Sequence, residues 1–210
     1  MATLIVTKDK GGAGRPALMT VIPPEREVPL AALRASGEQA GLDGLAFADL
    51  LSAITMHERA AARFALAAAE QTENPALRQL HQAFARAHAD HVATLESLMD
   101  AVGLPPRYAS PAARLTGYLA ESATRAPLLA GSVDPRTLEC ANLDVALSLA
   151  EWCAADVRLL AKIAAEARPS KVTTELRDAV EALSADAGAL ERLRDMREQF
   201  LVAVVTRGGA

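Results

Sequence analysis

Four stretches of this chain repeat apolar residues at helical spacing, and each breaks its own stripe with an ionisable side chain. From 46 to 72 the stripe is Phe47, Leu51, Ile54, Glu58, Ala61 and Ala65. From 75 to 102 it is Leu77, Leu80, Phe84, His91, Leu95, Leu98 and Val102, with His88 one turn before His91 on the same face. A third stretch, from Asp134-Pro135 to before Pro169, is apolar on nearly all sides and carries Glu151. The fourth begins near Ser170 to Thr173 and runs to about 203, with Leu176, Val180, Leu183, Asp186, Leu190, Leu193 and Phe200 in line. Such spacing buries one face of a helix against neighbouring helices. A buried acid is stable only when neutral, paired or bound to a metal. Three acids and two histidines at matched depth therefore predict a metal site built from Glu58, His88, His91, Glu151 and Asp186. The same groups also allow a metal-free polar seam, in which the histidines bond to Glu58 and Glu151 and fix helix register.

The punctuation between the stripes sets the topology. Asn74-Pro75 ends one helix and caps the next, and Gly103 closes the second. So short a connection makes the first two helices antiparallel neighbours. Pro105, Pro106, Pro111, Pro127 and Gly131 break the pattern between 103 and 134, with one short helix near Ala112 to Ser122. A link of that length suits a crossover along a bundle. The expected fold is all-α, a four-helix bundle of two antiparallel hairpins joined by a long crossover. A weak internal repeat agrees, since Glu58 precedes His91 by 33 residues and Glu151 precedes Asp186 by 35. The bundle is expected over 45–205.

Residues 1–44 read as an irregular N-terminal arm. Thr3 to Thr7 and Ala17 to Ile22 are β-prone runs around Lys10-Gly11-Gly12-Ala13-Gly14, which allows a short hairpin, and Leu30 to Ala40 reads as a short helix. The arm is also a candidate for exchange between subunits of a dimer.

Hydrophobic residues make up 51% of the chain but aromatics only 3%, a balance that favours close helix packing over sheet. The formal charge of −4 is mixed in sign along the chain, so no basic face for nucleic acid is expected. No apolar run approaches the roughly 20 residues needed to span a bilayer, so no membrane partner is expected. Leu4-Ile5-Val6 is too short for a secretory leader, and Lys8 and Lys10 follow it, so a cytoplasmic location is expected. Cys140 and Cys153 fall 13 residues apart on one helix. That is about 20 Å along its axis, too far to bridge. Both are expected to be packing thiols.

Other residues have ordinary readings. His81 is expected to be a partly exposed helix residue, His57 to sit at a helix–helix boundary, and Trp152 to be core. Asp144 reads as a first-turn acid, and Arg192, Arg194 and Arg197 as a solvated face. Gly11 to Gly14 lacks the features of a phosphate loop, and no serine-nucleophile motif is present.

Over residues 46–203 the chain resembles the ferritin-like superfamily. The likeness rests on Met56-His57-Glu58-Arg59, Ala87-His88-Ala89-Asp90-His91 and Leu95-Glu96, which look like the first hairpin of such proteins. In that family the first and third helices each give a Glu, and the second and fourth each give Glu-x-x-His, around two irons. The resemblance places Glu58, His91 and Glu151 at ligand positions and Asp186 where the fourth-helix Glu would stand. His88 replaces the bridging Glu, and Ala189 stands where the fourth-helix His belongs. A carboxylate can bridge two ions, whereas an imidazole offers one nitrogen. The resemblance thus implies a reduced site with the ligand types of a two-histidine-one-carboxylate centre. The implied function is an iron-dependent oxidoreductase or metal-handling protein, with zinc or manganese as other ions and O2 or a small molecule as substrate. The alternative is a metal-free helical scaffold or dimerisation module.

Overall fold

The computed structural model describes residues 3–5, 20–22, 28–129, 134–185 and 188–207. Seven helices account for nearly all of them: α1 (Leu30–Glu38), α2 (Gly44–Gln71), α3 (Pro75–Ala101), α4 (Pro111–Leu129), α5 (Pro135–Glu166), α6 (Lys171–Leu183) and α7 (Gly188–Arg207). Before them, β1 (Thr3–Ile5) pairs antiparallel with β2 (Thr20–Ile22), Thr3 opposite Ile22. The Lys10 to Gly14 run falls outside the described residues.

Local chemistry explains the helix ends. The Asn74 side chain accepts from the backbone N–H of Ala76 at 2.9 Å and of Leu77 at 3.3 Å, with Pro75 in the first turn. Asp134 caps α5 in the same way, and Ser170 caps α6 through Thr173 N–H at 3.1 Å. At the other end of α3, Gly103 takes φ of 79°, Leu104 N–H reaches Met99 O, and Gly103 N–H reaches Asp100 O. That pairing is a Schellman motif, whose left-handed position favours glycine. Asn74→Ala should remove one cap and lower stability by about 1 kcal/mol. In a chain of this size the thermal midpoint followed by circular dichroism should then drop by about 2–4 °C.

α2 packs against α3, α4 and α5, while α6 bridges α3 and α5, and α7 lies on α5. The core divides into two apolar clusters along the bundle. One gathers Leu51, Ile54, Leu95, Met99, Leu160 and Leu176; the other gathers Phe64, Leu77, Phe84, Leu143, Leu149 and Leu193. α1 is sealed onto α2: a Cβ at Gly44 would collide with the carbonyl oxygens of Leu33 and Arg34, and Arg168 N–H donates to Ala40 O at 2.9 Å. Over 28–43, therefore, the short helix read from Leu30 to Ala40 is present as α1, and with its turn it is joined to the core. An exchange role for residues 6–19 concerns positions outside those described.

Three expectations about the helices change. The fourth helix is two: α6 closes at Ser184, whose Oγ donates back to Val180 O, and α7 starts at Gly188, a poor helix former. α5 is not buried all round. Trp152 is 43% exposed and Leu159 41%, because the neighbours of α5 cover only part of its circumference. Ser52, which lies outside the apolar stripe and so is expected to point away from the core, is buried beneath the connection to α4: its Oγ donates to Tyr108 O and accepts from Ser110 N–H.

Candidate metal centre

The two apolar clusters meet at a polar level. α2 supplies Glu58 between Ile54 and Ala61, α3 supplies His88 between Ala85 and Leu95, and α5 supplies Cys153 one turn beyond Leu149 and Ala150. Glu58 is 1% exposed, and its Oε2 accepts from His88 Nδ1 at 2.5 Å and from His91 Nδ1 at 3.2 Å. His88 stacks edge-on against Phe84, with ring centres 4.3 Å apart. One donor atom from each of Glu58, His88 and Cys153 lies within 4.8 Å of the other two, and all three residues are buried. These three side chains can hold a metal ion.

Electrostatics around them is lopsided. Burial pushes the Glu58 carboxyl up. Hydrogen bonds from His88 and His91, together with their charge, outweigh it and hold the group at about 2. Burial pushes the Cys153 thiol well above its usual range, and the neighbouring Glu58 and Asp156 charges add to that. Without a cation the thiol keeps its proton; a bound cation would reverse the balance, because thiolate is the form that ligates. The second Glu58 oxygen, Oε1, is buried and has no hydrogen-bond partner among protein atoms. An orphaned carboxylate oxygen beside an imidazole and a thiol fits a transition-metal ligand set. A cavity of about 250 Å³ opens onto the group between α3, α5 and the α6–α7 break, with Phe84, Val157, Leu183 and Leu190 among its walls.

Of the predicted ligands, Glu58 and His88 converge, and His91 joins them at the edge with a side chain 20% exposed. Glu151 does not. It faces solvent and pairs with Arg194 at 3.2 Å. The inward stripe of α5 is Leu143, Ala146, Ala150, Cys153 and Leu160, and Glu151 is turned about 200° from Cys153. Asp186 lies outside the described residues. Ala189, where the family resemblance wants a histidine, lines the cavity.

Sequence reasoning assigned Cys153 to packing. The signal that could have found it is the small-residue stripe Ala146, Ala150, Cys153, which marks the close-packed face of an otherwise apolar helix. His81 is corrected too: it is fully buried rather than partly exposed, and burial lowers it to about 4. Trp152 is a partly exposed neighbour of His57, with ring centres 5.7 Å apart, rather than core. His57 itself spans the α2–α5 boundary to Asp156 at 2.5 Å. Asp144 is exposed and pairs with Arg197. No helix among the described residues is long and apolar enough to cross a membrane. No family model, curated protein or solved structure matches the chain.

Proposed function

We propose that this protein binds one transition-metal ion through Glu58, His88 and Cys153, with His91 as an additional ligand, on a ferritin-like frame of α2, α3, α5 and α6–α7. The observation that carries this reading is the burial of a carboxylate, an imidazole and a thiol around one point at the inner wall of a cavity, with Glu58 Oε1 unpaired. The frame is supported by the closed ring of helix contacts, α2 to α3 to α6 to α5 and back to α2.

Ligand types narrow the ion. A thiolate beside imidazole suits Fe(II), Zn(II) and Co(II), and disfavours Mn(II), which prefers oxygen. One carboxylate in the group supports one ion rather than a bridged pair. When bound, the ion supplies Lewis acidity, and iron adds electron transfer to dioxygen or peroxide, which is the oxidoreductase reading. The protein's own part is to orient His88 through Glu58, to bury the thiol among apolar side chains, and to offer an apolar-walled cavity beside the centre. The metal-free seam has its own support, since Glu58 Oε2 is already satisfied by two imidazoles.

Titration decides between the two. Untagged protein at neutral pH should take up about one equivalent of Co(II), with a thiolate-to-metal absorption band and release of a proton. Uptake without that band would remove Cys153 from the ligand set. No uptake of Co(II), Zn(II) or Fe(II) would leave the polar seam as the role of these residues.

A further inference from the structure

Six buried side-chain atoms among the described residues have no hydrogen-bond partner within the protein: Glu58 Oε1, both ring nitrogens of His81, both amide atoms of Asn142, and Glu139 Oε2. They are not scattered. His81 stands about two turns before His88 on the same face of α3, and Asn142 and Glu139 stand about three and four turns before Cys153 on the inward face of α5. The short turn after α2 makes α3 antiparallel to it. Glu58 beside Cys153 at one level, and a hydrogen bond from Thr72 Oγ1 to Glu139 Oε1 at another, make α5 antiparallel to α2 as well. α3 and α5 are therefore parallel, and the orphaned groups descend in order from the centre. His81 lies roughly 10 Å below it, Asn142 roughly 16 Å and Glu139 roughly 21 Å, at the rise of an α-helix. The column ends at the buried Thr72, one residue before the exposed Glu73 on the turn between α2 and α3.

We propose that this column is a hydrated channel, in which ordered water joins His81, Asn142 and Glu139 and connects the Glu58–His88–Cys153 level to solvent at the α2–α3 turn. Buried polar groups are satisfied with few exceptions, and water is the usual partner where protein atoms are missing. Ala65 and Ala69 on α2 and Ala146 on α5 occupy the same levels with side chains too short to reach across, beside the buried Phe64, Leu77, Leu143 and Leu149 of the second apolar cluster. A neutral imidazole and a carboxamide each offer a donor and an acceptor, so both can stand in the middle of a hydrogen-bonded chain. Burial keeps His81 neutral at physiological pH. The purpose rests on the metal reading: with the cavity filled by a ligand, water and protons would still reach the centre from the opposite end of the bundle. The existence of the channel does not depend on it.

Solution NMR on the metal-free full chain, labelled with ¹⁵N at histidine and asparagine, tests the channel directly. Water-saturation transfer should show the His81 ring proton and the Asn142 amide protons exchanging within seconds despite complete burial. Asn142→Leu should slow His81 exchange by about tenfold or more and leave His57 unchanged. If His81 in the parent exchanges as slowly as the core backbone amides of α3, the column is dry and the proposal is overturned. Fast His81 exchange that Asn142→Leu does not slow also overturns it, because water then arrives from the cavity side. The parent measurement stands even if the variant does not fold. Since no metal is added, fast exchange can coexist with a failed Co(II) titration.

Discussion

Cys153→Ser should weaken Co(II) and Zn(II) binding by about 100-fold or more and abolish the thiolate absorption band, with His88→Ala losing a comparable factor. Even partners that merely orient a ligand are worth 10–100-fold in affinity, so a direct ligand should cost at least that. The serine variant is the cleaner of the two, because it replaces a buried thiol by a hydroxyl of similar size. His88→Ala also removes the donor that Glu58 Oε2 accepts at 2.5 Å and opens space beside Phe84. Glu151→Ala is the control: its side chain pairs with Arg194 at the surface, and metal affinity should not move. Isothermal titration calorimetry of the four proteins under one buffer would check the series. Equal affinities in Cys153→Ser and the parent would exclude the thiol as a ligand, and a loss in Glu151→Ala would mean that α5 is rotated from the register described.

The largest effect on stability is expected from Glu58→Ala. Removing one partner of a buried charged pair typically costs about 3–5 kcal/mol, because the other is left unpaired. The Glu58 carboxyl, held at about 2 rather than 4.5, stabilises the fold by a comparable amount, about 3 kcal/mol at neutral pH. A fall in thermal midpoint of roughly 10 °C at pH 7 is expected. The sign with pH follows from the depressed value. The contribution is fully present above about 4.5 and is lost as pH falls from there through about 2. Glu58→Gln should therefore show a shallower loss of stability than the parent between those limits. Denaturant unfolding at several acidic pH values measures this, and parallel curves for parent and Glu58→Gln would mean that Glu58 is not the titrating carboxyl.

The parts of this molecule legible from sequence are those where one helix face differs from the other. α2 and α3 are amphipathic, so the inward placement of Glu58 and His88 followed from spacing alone, and Asn74, Gly103, Asp134 and Ser170 marked helix ends through local backbone chemistry. α5 defeated the same reasoning because it is apolar on nearly every side. With no polar face to orient it, Glu151 was assigned inward as the acid that interrupts an apolar stripe, and Cys153, which does face inward, looked like one more packing residue. The break between α6 and α7 was hidden for a related reason. Leu176, Val180 and Leu183 on one side and Leu190 and Leu193 on the other keep a continuous period across it. His81 was misread because burial of an unpartnered imidazole is costly, and sequence offers no sign of what compensates it.

The division of the core has a consequence for how the chain holds together. α6 contributes to one apolar cluster and α7 to the other, and both the break between them and the Glu58–His88–Cys153 level lie where the clusters meet. Each half is a candidate unit of cooperative opening in its own right, hinged at a waist where side chains are polar and the fourth helix is interrupted. An ion held by α2, α3 and α5 at that waist would be a rivet: it binds only when both halves are closed, and so ties the opening of one to that of the other.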